Sequence, residues 1–282
     1  MSNRSRIGVV FDSSAYAPEP LEHTRVVELR INKGDKSYKE LTEVDWDQFY
    51  KHLRENKQIP TTSAAPIEEV RSAINELLNE GNDNVIGIWL SKHFSVTYEE
   101  AKMLEGEFNG RFVAIDTKSV AAGPYRMILE TLKAIDLSWN LDEVINHLLK
   151  VRDAYQTIFL ASIEHLAKGG RIGKAQALAG NLLRFEPLLF VDDGMVNSYK
   201  VVRGRKAAIK EMPQFMIKNF GDEQLFLDIV WSDNFDEVHV LEQFLEENHM
   251  KRQDVLRLGP VIGTHLGPDL LALFGVPMKV LL

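Results

Sequence analysis

Three apolar, β-branched runs, each breaking off in small hydroxyl residues and followed by a helix-length stretch, constrain this chain more than any other feature. They read RIGVVFDSS (residues 6–14), VIGIWLSKHFS (85–95) and RFVAIDTKS (111–119). Runs this short and apolar suit strands covered on both faces, and strands spaced by helices make a parallel sheet with crossover connections. Between the first two, Ile67, Val70, Ile74, Leu77 and Leu78 fall at helical spacing after Pro66. Gly81 then stands where a helix would stop in the left-handed conformation.

The rest of the chain is patterned differently. TIFLASI (157–163) precedes a helical stretch and the Gly169-Gly170 turn, and EPLLFVDDGMVNSYKVV (186–202) has strand patterns on both sides of Asp193-Gly194, the composition of a tight hairpin. LFLDIVWS (225–232) and the final MKVLL (278–282) read as further strands. Strands with helices interposed suggest a mixed unit. The expected fold is therefore α/β in two domains, an N-terminal α/β domain with a mostly parallel sheet and a C-terminal α+β domain with a mixed or antiparallel sheet. The seam follows the helix carrying Leu141, Val144, Ile145, Leu148 and Leu149, near Val151–Tyr155, and divides the chain into residues 1–153 and 154–282. There is no internal repeat and no low-complexity tract.

Four turns are loaded with hydroxyls: Asp12-Ser13-Ser14, Thr61-Thr62-Ser63, Ser91 through Thr97, and Asp116 through Ser119. At the carboxyl edge of a parallel sheet, hydroxyls and free helix amides make an anion cradle. The same residues are also the preferred helix N-caps, and Thr97 with Glu100 fits a capping box. Both readings stand on the residues alone.

Bulk properties narrow the function class. The net charge of −8 gives no general attraction to phosphate backbones or anionic lipid, so any anion site must be local, and no nucleic acid partner is expected. The chain has no cysteine, which removes disulfides and thiol chemistry and fits a cytoplasmic location. The apolar run near the N-terminus is too short for a signal peptide, and no run approaches the length of a membrane span. Scattered histidines and the absence of HExxH argue against a metal site. Neither a GxSxG elbow nor a dinucleotide fingerprint is present.

Two further segments carry charge or chemistry. HLAKGGRIGKAQALAG puts Lys168, Arg171 and Lys174 among glycines ahead of an expected helix bearing Ala175, Leu178, Ala179 and Leu182. It fails as a phosphate loop because Gly169 lies too close to Gly173-Lys174 and Ala175 follows. Arg203, Arg205 and Lys206 in VVRGRKAAI read as a solvated charged face. In VIGTHLGPD, His265 lies between Gly263 and Gly267, and Pro268-Asp269 suits the first turn of a following helix. At a helix N-terminus the neutral imidazole would be favoured. A ligand-binding and a merely structural histidine look alike here.

The ordered set DSSAYAP, PTTSAAPIEE, LSKHFSVTY, VAIDTKSVAAG, KGGRIGKAQALAGNLLRFEPLL, DGMV, RGRKAAI and IGTHLGPDLLALFG resembles the DegV family, the fatty-acid-binding subunits of bacterial fatty acid kinase. The likeness runs from Ile7 to Phe274, and the block Lys168–Leu189 is its most specific part. It implies a DegV-like two-domain fold holding one long-chain fatty acid in a buried tunnel, without cofactor or metal and without activity of its own. It further implies a carboxylate held by Thr62, Ser63, Ser95 and His265, with Arg171 and Arg203 facing the kinase catalytic subunit or its phosphoryl group. The kinase partner would supply nucleotide and magnesium, and the product would feed phospholipid metabolism. Burial of the tail is worth about 0.8 kcal/mol per methylene. The chain departs from the family pattern at Val96, where a glycine is usual, at Lys92-His93, Ala64-Ala65, Leu266 and Asp269. Two other accounts compete: a stand-alone hydrolase using Ser95 and His265, and a binding module for a non-lipid anion.

Overall fold

A computed structural model describes residues 6–55, 59–178 and 185–282. In chain order, β1 (Ile7–Asp12) and β2 (Thr24–Val27) lead to a hairpin of β3 (Arg30–Lys33) and β4 (Lys36–Lys39). Then come α1 (Trp46–Glu55), β5 (Thr61–Ser63), α2 (Ile67–Asn79), β6 (Asn84–Trp89), α3 (Thr97–Leu104) and β7 (Phe112–Asp116). Helices α4 (Ala122–Asp136) and α5 (Leu141–Ala154) close this half. The other half comprises β8 (Gln156–Leu160), α6 (Ile163–Lys168), β9 (Phe185–Asp192), β10 (Met195–Arg203), α7 (Arg205–Phe220), β11 (Leu225–Trp231), α8 (Asp236–Glu247), β12 (Arg252–Arg257), α9 (Pro260–Leu266) and β13 (Leu271–Pro277).

The three apolar runs form β1, β6 and β7 of a four-stranded parallel sheet, order β2-β1-β6-β7. Alternation sorts their side chains. Val10, Val85 and Trp89 face α2 and α3, joined there by Val70, Ile74, Leu77 and Leu104, while Ile7, Val9, Phe11, Ile86 and Ile88 face the opposite way. Gly81 takes φ +93° just beyond α2, as expected of a helix stop. The second half is built on a mixed sheet of order β10-β9-β8-β13-β11-β12, in which only the β11–β12 pair is parallel. One face of this sheet packs on α7 and α8. Its other face joins the core that contains Ile7, Val9 and Phe11, so the largest apolar cluster draws on both halves. A third sheet, β4-β3-β5, is small and antiparallel. Among the described residues no helix is long and apolar enough to cross a membrane.

The hairpin turn forms at Asp193-Gly194, both with positive φ. Four local expectations are corrected. The final MKVLL is not a strand: β13 ends at Pro277, and Met278–Val280 makes a short 3-10 turn. The stretch after Pro268 is not a helix, because Leu271–Pro277 is a central strand between β8 and β11. Its leucines and alanine prefer helix, but pairing with a strand on each side decides otherwise. The expected helix after Lys174 is a 3-10 turn over Gly173–Leu178, and Ala179 and Leu182 lie outside the described residues. The Thr97–Glu100 capping box does not form: α3 is N-capped at Val96 without a side-chain bond, and the Ser95 hydroxyl accepts the Thr97 amide instead.

Candidate functional site

Between the inner face of the mixed sheet and the carboxyl edge of the parallel one lies an apolar cavity enclosing about 50 Å³. Alternate residues of two adjacent strands line it, Thr157 and Phe159 on β8 and Ala272 and Phe274 on β13, with Phe94, Val120 and Ile262 closing over them. His265 and Arg171 also line the wall and are its charged or ionisable members.

His265 is placed by α9, not by a helix that follows it. Pro260 starts α9 at a position that needs no amide donor, the buried carboxylate of Glu40 accepts the Val261 amide at 2.7 Å, and Gly267, at φ +87°, stops the helix. The imidazole therefore sits in the last turn, where the helix dipole would favour its charged form. Burial outweighs the dipole: it pushes the His265 pKa down to about 4, with the positive charge of Arg171 adding to the effect. The neutral imidazole expected from the sequence is thus present for a different reason. Gly263 lets α9 close on Tyr50, whose hydroxyl would collide with any side chain there and which donates to the Leu258 carbonyl at 2.8 Å.

Thr62 meets His265 across the molecule. Strand β5 pairs antiparallel with β3, register Ile31 to Thr62, and its alternation turns Thr61 and Ser63 outward and Thr62 inward. Thr62 Oγ1 lies 2.7 Å from His265 Nε2. Ser63 is exposed, and its Oγ accepts from the Asn32 amide at 3.3 Å, so the strand places it on the face away from His265. Ser95 is half-buried in the turn before α3, its Oγ 2.8 Å from Thr97 Oγ1 and accepting the Thr97 amide. Val96 beside it is 59% exposed, and Lys92 and His93 are exposed in the same turn.

Arg171 ties this turn to the glycine loop after α6. Its Nε donates to the Phe94 carbonyl at 3.0 Å and a terminal nitrogen donates to the Gly169 carbonyl at 2.6 Å. Arg203 is elsewhere. It is exposed at the open end of the β9–β10 hairpin, opposite Phe185. The Gly173 backbone packs on Val196 near the other end, roughly 23 Å away at ~3.3 Å per strand residue. The two arginines are not brought together.

Most groups of the other hydroxyl turns are satisfied within the protein; the exception is the Ser119 hydroxyl, buried without a hydrogen-bond partner among the described residues. Asp12 accepts the amides of Ser14 and Leu90, Ser13 donates to Glu40 at 2.6 Å, and Thr117 donates to the Trp89 carbonyl at 2.8 Å. Glu40 was not singled out by the sequence. It is fully buried and also accepts from the Tyr16 hydroxyl, and burial raises its pKa to about 7. No local pattern marks it, because its partners lie on β1's turn and on α9. The period-two alternation of β8 marks its half of the cavity wall, whereas the residues of β13 follow Pro268-Asp269 and carry helix signals that hide the other half.

Comparison with known proteins gives one consistent answer. The sequence profile of the DegV family, described as uncharacterised proteins, matches residues 6–278. A DegV domain-containing protein of Caldanaerobacter subterraneus is 30% identical over 277 residues, covering 95% of this chain and 98% of that one. A DegV family protein of Thermus thermophilus, whose solved structure concerns fatty acid binding, superposes with a TM-score of 0.90 at 28% identity over 96% of this chain and 99% of that one. The fatty-acid-binding DegV family protein SAG1342 of Streptococcus agalactiae does so with a TM-score of 0.90 at 26% identity, over the same shares of the two chains. On a match that spans nearly the whole chain in both sequence and fold, this protein belongs to the DegV family.

Proposed function

We propose that the protein binds one long-chain fatty acid, with its tail in the apolar cavity and its carboxylate at Thr62, His265 and Ser95, and presents that carboxylate to a partner kinase. The observation that carries this reading is that His265, which lines the mostly apolar cavity, is bonded at 2.7 Å to Thr62 just behind the wall. Relatives at 26 and 28% identity with the same fold bind fatty acid. The cavity is narrow, so an acyl chain enters by parting the lining side chains, and burial of its methylenes at about 0.8 kcal/mol each favours that opening. Phosphoryl transfer to the carboxylate needs positioning and positive charge more than covalent help, and the partner would bring the nucleotide. In this reading residues 1–153 supply the hydroxyl turns and residues 154–282 complete the tunnel. Arg171 and the exposed Arg203 are the cations offered to the partner, and a reducing cytoplasm suits a chain without cysteine.

The hydrolase reading finds less support. The Ser95 hydroxyl is bonded to Thr97, His265 is bonded to Thr62, and no carboxylate among the described residues orients the imidazole. Native mass spectrometry of the purified protein, followed by release of its ligand, tests the carrier. One fatty acid per chain is expected, and Thr62→Val should retain it about tenfold less well while remaining folded, a loss on the order of 1–2 kcal/mol for one hydrogen bond. An empty protein that also refuses added oleate would sink the proposal. Loaded protein given a fatty acid kinase catalytic subunit and ATP should yield acyl phosphate, and its absence would restrict the role to carriage.

A further inference from the structure

Gly169 sits directly beneath the imidazole of His265. Its backbone angles, φ −76° and ψ −11°, are ordinary right-handed values that any residue adopts, so the turn itself makes no demand for glycine. Space does: a Cβ at this position would collide with His265 Nδ1 and press on the His165 carbonyl at 3.1 Å. The ring is thus seated on a bare Cα. In that seat Nδ1 is fully buried and has no hydrogen-bond partner among the described residues.

The two neutral tautomers are unequal here. With the proton on Nδ1, a buried N–H would go without an acceptor; with the proton on Nε2, only a lone pair goes without a donor. Orphaned N–H groups are the rarer and costlier of the two. Nε2–H then donates to Thr62 Oγ1, which leaves the threonine's own proton free to be donated onward. We propose that Gly169 is a positioning residue: by seating the His265 ring against an apolar surface it selects the Nε2–H tautomer, and through it turns the Thr62 hydroxyl into a donor aimed at an anionic headgroup. Arg171, bonded to the Gly169 carbonyl, holds the seat in place. The final step, donation to a ligand, rests on the function proposed above; the tautomer does not.

The test separates the two. Long-range proton–nitrogen spectra of ligand-free, nitrogen-labelled protein, with His265→Gln identifying the signals, should show an Nε2-protonated, Nδ1-unprotonated ring at pH 7. An Nδ1–H ring or an imidazolium there overturns the proposal, whether or not the protein binds fatty acid. Gly169→Ala should displace these ring signals and lower oleate retention about tenfold. In a His265→Ala background the same substitution should cost nothing further, because its effect passes through the ring. A Gly169→Ala penalty that persists without the imidazole would mean that the glycine only shapes the loop, and would equally overturn it. Should Gly169→Ala fail to fold, the wild-type spectrum still decides.

Discussion

At the scale of single residues, two buried titratable groups work against each other. Glu40 has its folded pKa raised to about 7 from 4.5, first by burial and then by the nearby charge of Asp12, while its bonds from Ser13, Val261 and Tyr16 hold it back. Between those values the folded state keeps a proton that the unfolded chain loses, so this group's contribution is present below pH 4.5 and is lost as pH rises to about 7. His265 has its folded pKa lowered to about 4 from 6.5, so the unfolded chain takes up a proton that the folded state refuses, and stability is lost as pH falls from 6.5 to about 4. Each term is on the order of 3 kcal/mol at its extreme. Over the shared window they oppose. Urea midpoints measured against pH should show the difference profiles: relative to wild type, Glu40→Gln gains stability toward pH 7, and His265→Gln gains stability toward pH 4. Variants that both track the wild-type curve would remove these groups from the acid response. Neither behaviour was legible in the sequence. His265 was visible between its glycines, but the helix that carries it ends where one was expected to begin, and Glu40 lies in an unmarked stretch after β4.

At the scale of elements, β1, β6 and β7 were readable because burial on both faces leaves a continuous apolar run that little else produces, whereas the edge strand β2, only partly buried, leaves none. The hairpin was readable because its turn needs two positive φ values, which Asp193-Gly194 can adopt. What could not be read is how loops lean on one another. Arg171 looks in sequence like a free cation in a glycine-rich loop. In the fold its guanidinium bonds two carbonyls, of Phe94 and Gly169, and so braces the Ser95 turn against the seat of His265. Charge-assisted bonds of this kind contribute about 1.5–3 kcal/mol. Arg171→Ala should therefore reduce fatty acid retention about tenfold even with no kinase present, read by displacement of a fluorescent fatty acid. Unchanged retention would show that the two loops hold their places without it.

At the scale of the whole molecule, the two halves are joined by a buried charge. Arg126 on α4 reaches Asp228 on β11 at 3.2 Å and Asp254 on β12 at 2.8 Å, and Tyr155 donates to the same Asp228 at 3.2 Å. Asp228 is fully buried, and burial pushes its pKa up against the opposing pull of Arg126. Removing one partner leaves the other charged and dry. Arg126→Met should cost about 3–5 kcal/mol of stability, and Arg126→Met with Asp228→Asn should recover part of it. Denaturant titration measures both. An additive double variant would mean that the pair is not coupled.

The sequence by itself determined part of the local grammar: the three apolar runs that became β1, β6 and β7, the Asp193-Gly194 hairpin, and the family to which the motifs are similar. It could do so because alternation, turn geometry and helix stops are properties of neighbours along the chain. The tertiary structure decided the rest. It turned Leu271–Pro277 from a helix into a central strand because β8 and β11 flank it, and it paired Thr62 with a histidine 203 positions away. It also spent most of the hydroxyl turns on capping and internal bonds. Those outcomes depend on which groups are buried against which, and a buried polar group is satisfied by whatever the fold brings within reach, at any distance in sequence.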